Sequence, residues 1–138
     1  MLDLKEAMDE LHEDQGWPLT MGDGEYHIEV SLSNDRTQVV TVELREDDEG
    51  NDLVFITSNA CEYKKIKSGV MRKGHLGLME DSADHAYVSY AARDGMIIVK
   101  ASRMLEYLQK EELWKVVIAA AEEADALEEE KYGDKDDE

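Results

Sequence analysis

A chain of 138 residues is the size of one domain and is long enough to bury a core. Its 34 acidic and 15 basic residues give a formal net charge of −19, which works against phosphate backbones and anionic membrane surfaces and favours cationic partners. Cys61 is the only cysteine, so no internal disulfide can form, and no apolar run approaches the length of a membrane span.

The N-terminus reads Met-Leu-Asp-Leu-Lys-Glu, without the basic and apolar regions of a signal peptide, so a cytoplasmic protein is expected. Residues 2–14 predict a short amphipathic helix. Leu4, Met8 and Leu11 fall on one face with Ala7 beside them, and Gly16 followed by Trp17-Pro18 ends it. Trp17 is expected to cap the core edge, and His12 to lie on the exposed helix surface.

His27–Leu32 and Gln38–Leu44 alternate and predict two strands. A three-residue loop, Asn34-Asp35-Arg36, would set Val30 opposite Val40, Ile28 opposite Val42 and Tyr26 opposite Leu44. His27 would then face Glu43 on the outer side. A two-residue loop would set Thr41 against Ile28, which segregates polarity less well. The acidic run Glu46-Asp47-Asp48-Glu49-Gly50-Asn51-Asp52 leads to a third strand, Leu53–Thr57, which makes a meander. Its spacing misses the ligand pattern of a calcium loop, and its flanks are strands, so a solvated hairpin loop is expected.

Residues 61–73 predict a second helix, from Cys61 to Lys73, ending at Gly74. Lys64, Lys65, Lys67, Arg72 and Lys73 place five of the 15 basic residues there. Ile66, Val70 and Met71 supply an apolar side, and Gly69 weakens the helix. The segment is either a solvated surface or a contact for an acidic element, such as another copy of this chain.

Asp94-Gly95 is a preferred pair for a two-residue type I′ turn. It sets Arg93 opposite Met96, Ala92 opposite Ile97, Ala91 opposite Ile98, Tyr90 opposite Val99, Ser89 opposite Lys100 and Val88 opposite Ala101. One face is apolar and faces the core. The other is mixed, and on it Tyr87, Met96 and Ile98 are candidate contact residues, beside Lys64, Lys65, Ile66, Val70 and Met71 of the basic segment. Leu105, Tyr107 and Leu108 then lead into a long helix. Its stripe is Leu113, Val116, Val117, Ala120, Ala121, Ala124 and Leu127, with Glu111 and Glu112 in the first turn. The core domain is expected to span 1–130, with 131–138 a charged flexible tail.

No catalytic constellation emerges. Cys61 has no motif around it, and the four histidines are scattered singly. Gly22-Asp23-Gly24 lacks the further glycine and helix of a phosphate loop. No catalytic residue, metal or cofactor is expected. The alternative reading is a small-molecule-binding domain or enzyme with a pocket between helix and sheet, lined by Trp17, Tyr26, Tyr90 and Trp114.

The predicted class is α+β: a single antiparallel twisted sheet of about five strands with helices packed on one face, in the order α-β-β-β-α-β-β-α. The residues that carry a resemblance are the first helix ending at Gly16-Trp17, the meander from His27 to Ser58 and the hairpin Ala86 to Ala101. To these are added Glu106-Tyr107-Leu108, Glu111-Glu112-Leu113 and Ala124-Asp125-Ala126-Leu127. This order resembles the fold of type III secretion chaperones, and in particular the YbjN-like family of bacterial sensory-transduction regulators. The resemblance implies a non-enzymatic interaction module, chaperone-like or regulatory. It would bind a basic or amphipathic segment of a partner protein, as a homodimer, with no nucleic acid and no membrane involved.

Overall fold

The structure, a computed structural model, describes residues 1–62 and 87–131. Helix α1 spans Leu4–Gln15. The carboxylate of Asp3 caps it, accepting from the Glu6 N–H at 3.1 Å. Gly16 ends it at φ +74°, its N–H donating to the His12 carbonyl at 2.8 Å. Strands β1 (Leu19–Gly22), β2 (Glu25–Ser31), β3 (Thr37–Glu46) and β4 (Asp52–Glu62) follow. Then come β5 (Ser89–Arg93), β6 (Met96–Met104), a 3₁₀ turn (Leu105–Tyr107) and helix α2 (Lys110–Lys131). All six strands form one antiparallel sheet in the order β1-β2-β3-β4-β6-β5.

One core lies on one side of this sheet. The stripe Leu113, Val116, Val117, Ala120, Ala121, Ala124 and Leu127 of α2 is buried along its full predicted length. It joins Leu4, Ala7, Met8 and Leu11 of α1 over Ile28, Val30, Val40, Val42, Val54, Ile56, Val99 and Ala101. The three alanines keep α2 close to the sheet. Leu105 and Leu108 of the lead-in are buried, but Tyr107 between them is 68% exposed, because the 3₁₀ turn points it outward.

The β5–β6 register agrees with the predicted one from Ser89–Lys100 to Arg93–Met96. Asp94 (φ +52°) and Gly95 (φ +80°) supply the two left-handed positions that the turn needs. On its inner face Val88, Ile97, Val99 and Ala101 are buried. Tyr90 is half-buried, its hydroxyl donating to Glu123 at 2.8 Å, and Ala92 is exposed beside the turn.

Five expectations are corrected. The sheet has six strands, because β1 pairs with β2 through Asp23-Gly24, a second Asp-Gly turn with both φ positive. The β2–β3 register is shifted by two: Ile28 faces Val40, Val30 faces Gln38, Tyr26 faces Val42 and His27 faces Thr41. The three-residue loop is Ser33-Asn34-Asp35, one position upstream, with Asp35 taking the left-handed conformation at φ +59°. The Leu32 N–H donates to the Arg36 carbonyl at 2.7 Å and closes it. A helix does not begin at Cys61. A bulge between Asn59 and Cys61 lets β4 run on, and Cys61 and Glu62 pair with Ile97 and Met96. His12 is half-buried rather than exposed, its Nδ1 donating to the Trp17 carbonyl and fixing the chain beyond α1.

The acidic run between β3 and β4 is a hairpin loop organised by one residue. Asp47 Oδ1 accepts from the N–H groups of Glu49 (2.9 Å) and Asn51 (2.8 Å), and Oδ2 accepts from the Asn51 amide at 3.1 Å. The remainder of the predicted second helix and the tail beyond Lys131 lie outside the described residues.

Candidate interaction surface

Both described helices contribute to the core on the inner face of the sheet, and the outer face carries a different set of side chains. Register defines its rows. Glu25, Glu43, Phe55 and Ser102 are successive neighbours across β2, β3, β4 and β6. His27, Thr41, Thr57, Lys100 and Ser89 form the adjacent row. Of these, Glu25, Glu43, Phe55, His27, Thr41 and Thr57 line a trough of about 660 Å³ together with Val39 and Arg45, and Arg93, Asp94 and Glu128 also border it.

Several of the charges in the trough are paired with one another. Like charges directly opposite across two strands repel. Glu25 and Glu43 face each other in this way, and each has a basic neighbour: Arg45 ion-pairs with Glu43, and His27 lies beside Glu25. The neighbouring Glu25 carboxyl, and then Arg45, hold Glu43 below the usual carboxylate range. His27 is held on both ring nitrogens: Nε2 lies 3.2 Å from Glu25 and Nδ1 lies 3.0 Å from Thr41 Oγ1. The Arg45 guanidinium lies 4.5 Å from the Phe55 ring centroid and the Lys100 ammonium 5.9 Å from it. What the trough offers a partner is hydrogen-bonding groups and apolar patches. Val39 is 50% exposed within it, and Met104 is exposed beyond its Leu53 end.

The sequence candidates are distributed unevenly. Lys64, Lys65, Ile66, Val70 and Met71 lie outside the described residues. Tyr87 is exposed, with its carbonyl accepting from Arg103 Nη2 at 3.1 Å. Met96 is half-buried at the opposite end of the hairpin, roughly 20 Å away at ~3.3 Å per strand residue. Ile98 is corrected: it is 3% exposed, flanked on its inner strand by Asn59 of β4 and Ala91 of β5, and offers no contact surface. Sequence reasoning missed Val39 and Phe55. The adjacent pair Val39-Val40 was the signal, since in a strand one of two neighbours must face outward.

The aromatic pocket of the alternative reading does not assemble. Trp114 donates to the Ala7 carbonyl at 3.2 Å, Tyr90 bonds Glu123, and Trp17 packs at the end of α1, so each is held by a different partner. Among the described residues no cluster of three or more His, Cys, Asp or Glu side chains is placed to hold a metal ion, and no helix is long and apolar enough to cross a membrane.

No family model matches the chain, and no curated protein matches it in sequence. Solved structures do match. A chain in the crystal structure of the ExsC–ExsE complex has a TM-score of 0.60 at 13% identity, covering 91% of this chain and 90% of that one. A chain in the HopA1–SchA chaperone–effector complex has a TM-score of 0.62 at 16% identity, covering 94% and 99%. At such identities the likeness is one of fold alone, shared with chains from these two complexes.

Proposed function

We propose that this chain is a non-enzymatic, chaperone-like or regulatory module that binds a segment of a partner protein. The observation that carries the reading is the outer sheet face, where exposed Val39 and half-buried Phe55 sit among polar groups, several of them paired with one another. A surface of hydrogen-bonding groups and half-open apolar side chains suits an extended segment that brings its own hydrogen bonds. The likeness to chains from the two complexes, one described as chaperone–effector, supports it. Within this reading the chain acts in the cytoplasm as a homodimer, in the manner of the YbjN-like regulators.

The test is capture of partners by the wild-type protein and by Val39→Glu, with circular dichroism to check folding. A protein retained by wild type and lost with Val39→Glu supports the reading. Equal retention by both removes the outer face from it. Sedimentation at tens of micromolar tests the dimer, and a monomer there removes that part.

A further inference from the structure

A second concavity lies on the other side of the molecule, where the end of α1, the β2–β3 turn and α2 meet. It measures about 480 Å³, within the range of small binding clefts. Val30 forms its floor, Trp17, Leu32 and Ile118 its half-buried walls, and Glu122 and Asp125 stand on its rim. All three walls are pinned. The Trp17 carbonyl accepts from His12, and the Pro18 carbonyl accepts from the Glu29 N–H at 2.9 Å. The Arg36 Nε and Nη2 both lie 2.8 Å from Asp125 Oδ1, tying the turn to α2 across 89 residues of sequence. A cleft held open in this way needs little reorganisation to be filled. Glu122 is exposed and has no ion-pair partner among the described residues.

We infer that this cleft is a docking site for a basic amphipathic segment of a partner protein, which seats an apolar side chain on Trp17, Leu32 and Ile118 and a neighbouring lysine or arginine on Glu122. Charge complementarity selects this occupant. The apolar walls bind aliphatic carbon and the rim binds cations, which is the division within a lysine or arginine side chain itself. The net charge of −19 adds a long-range preference of the same sign. An acidic segment would bring like charge to the rim. The inference rests on the partner-binding reading and adds a second, chemically distinct surface to it.

The test uses a fluorescently labelled peptide of alternating leucine and lysine, with a leucine–glutamate peptide as its opposite, read by anisotropy. Wild type is compared with Ile118→Arg and Glu122→Lys in the cleft and with Val39→Glu on the outer face. Glu111→Lys, exposed in the first turn of α2, makes the same charge change as Glu122→Lys outside the cleft. The leucine–lysine peptide is expected to bind wild type and Glu111→Lys alike, and Ile118→Arg and Glu122→Lys at least tenfold more weakly. The leucine–glutamate peptide is expected not to bind. Equal weakening by Glu111→Lys and Glu122→Lys, or equal binding of both peptides, overturns the cleft. Loss with Val39→Glu but not with Ile118→Arg also overturns it, while leaving the partner-binding reading intact. Binding of neither peptide overturns the cleft, and the partner capture described above then decides the wider reading separately.

Discussion

Gln38 and Ser58 join β3 and β4 beyond the point where their backbone ladder ends. The paired register between these strands stops at Thr41–Thr57. Further along, the Ser58 hydroxyl donates to the Val39 carbonyl at 2.8 Å, and the Gln38 amide donates to Ser58 Oγ (3.1 Å) and to the Asn59 carbonyl (2.6 Å). Ser58 is 2% exposed, and no other polar residue is so buried among those described. Removing its hydroxyl takes a donor from the Val39 carbonyl and an acceptor from the Gln38 amide in a part-buried place. Ser58→Ala is therefore expected to destabilise by about 1–3 kcal/mol in urea unfolding, with an unchanged m-value.

The two Asp-Gly turns should respond differently to the same change. Gly24 and Gly95 both sit near φ +80°, where alanine is strained. Gly95→Ala strikes the hairpin that carries Ile97 and Val99 and should cost about 1 kcal/mol or more globally. Gly24→Ala strikes β1, a four-residue edge strand with three exposed positions. Its expected effect is local: faster hydrogen exchange at Leu19–Gly22 with little change in the midpoint.

Acid sensitivity should centre on Asp47 and Glu43. The Asn51 N–H, and then its side-chain amide, hold Asp47 below the usual carboxylate range, as Glu25 and Arg45 hold Glu43. A carboxyl group whose folded pKa is depressed contributes stability above its unfolded value of about 4, and this is lost as the pH falls through the folded value. Asp47→Asn keeps a side-chain oxygen for the turn but cannot titrate. Thermal midpoints measured between about pH 2 and 5 should fall less steeply for this variant than for wild type. Parallel curves would remove Asp47 from the account.

Close packing of α2 makes its alanines intolerant of bulk. Ala120 is fully buried, and Ala120→Leu is expected to cost about 1–3 kcal/mol by overpacking. Leu113→Ala, at the N-terminal end of the same stripe, should cost about 2–5 kcal/mol through the cavity it leaves. Chemical denaturation of the two variants checks both.

Much of the inner architecture was legible in local chemistry. The α2 stripe, the ends of α1 and the β5–β6 register follow from helical spacing, a left-handed glycine and an Asp-Gly turn, all of which act over a few residues. The face that each residue of β2 and β3 presents was also legible, because a register slip of two keeps every side chain on its side of the sheet. For that reason Ile28, Val30, Val40 and Val42 are buried as expected even though their partners differ.

Long-range placement was decided by the assembled sheet. The loop position between Leu32 and Arg36 is coupled to α2 through Arg36 and Asp125, a contact no local pattern contains. Continuation of β4 to Glu62 depends on β6 lying beside it and on a bulge that absorbs the mismatch. The burial of Ile98, the half-open state of Phe55 between two cations and the acidic-rimmed cleft around Ile118 all require neighbours distant in sequence. Periodicity assigns a residue to a face, but which residues from other elements meet it there is set by packing.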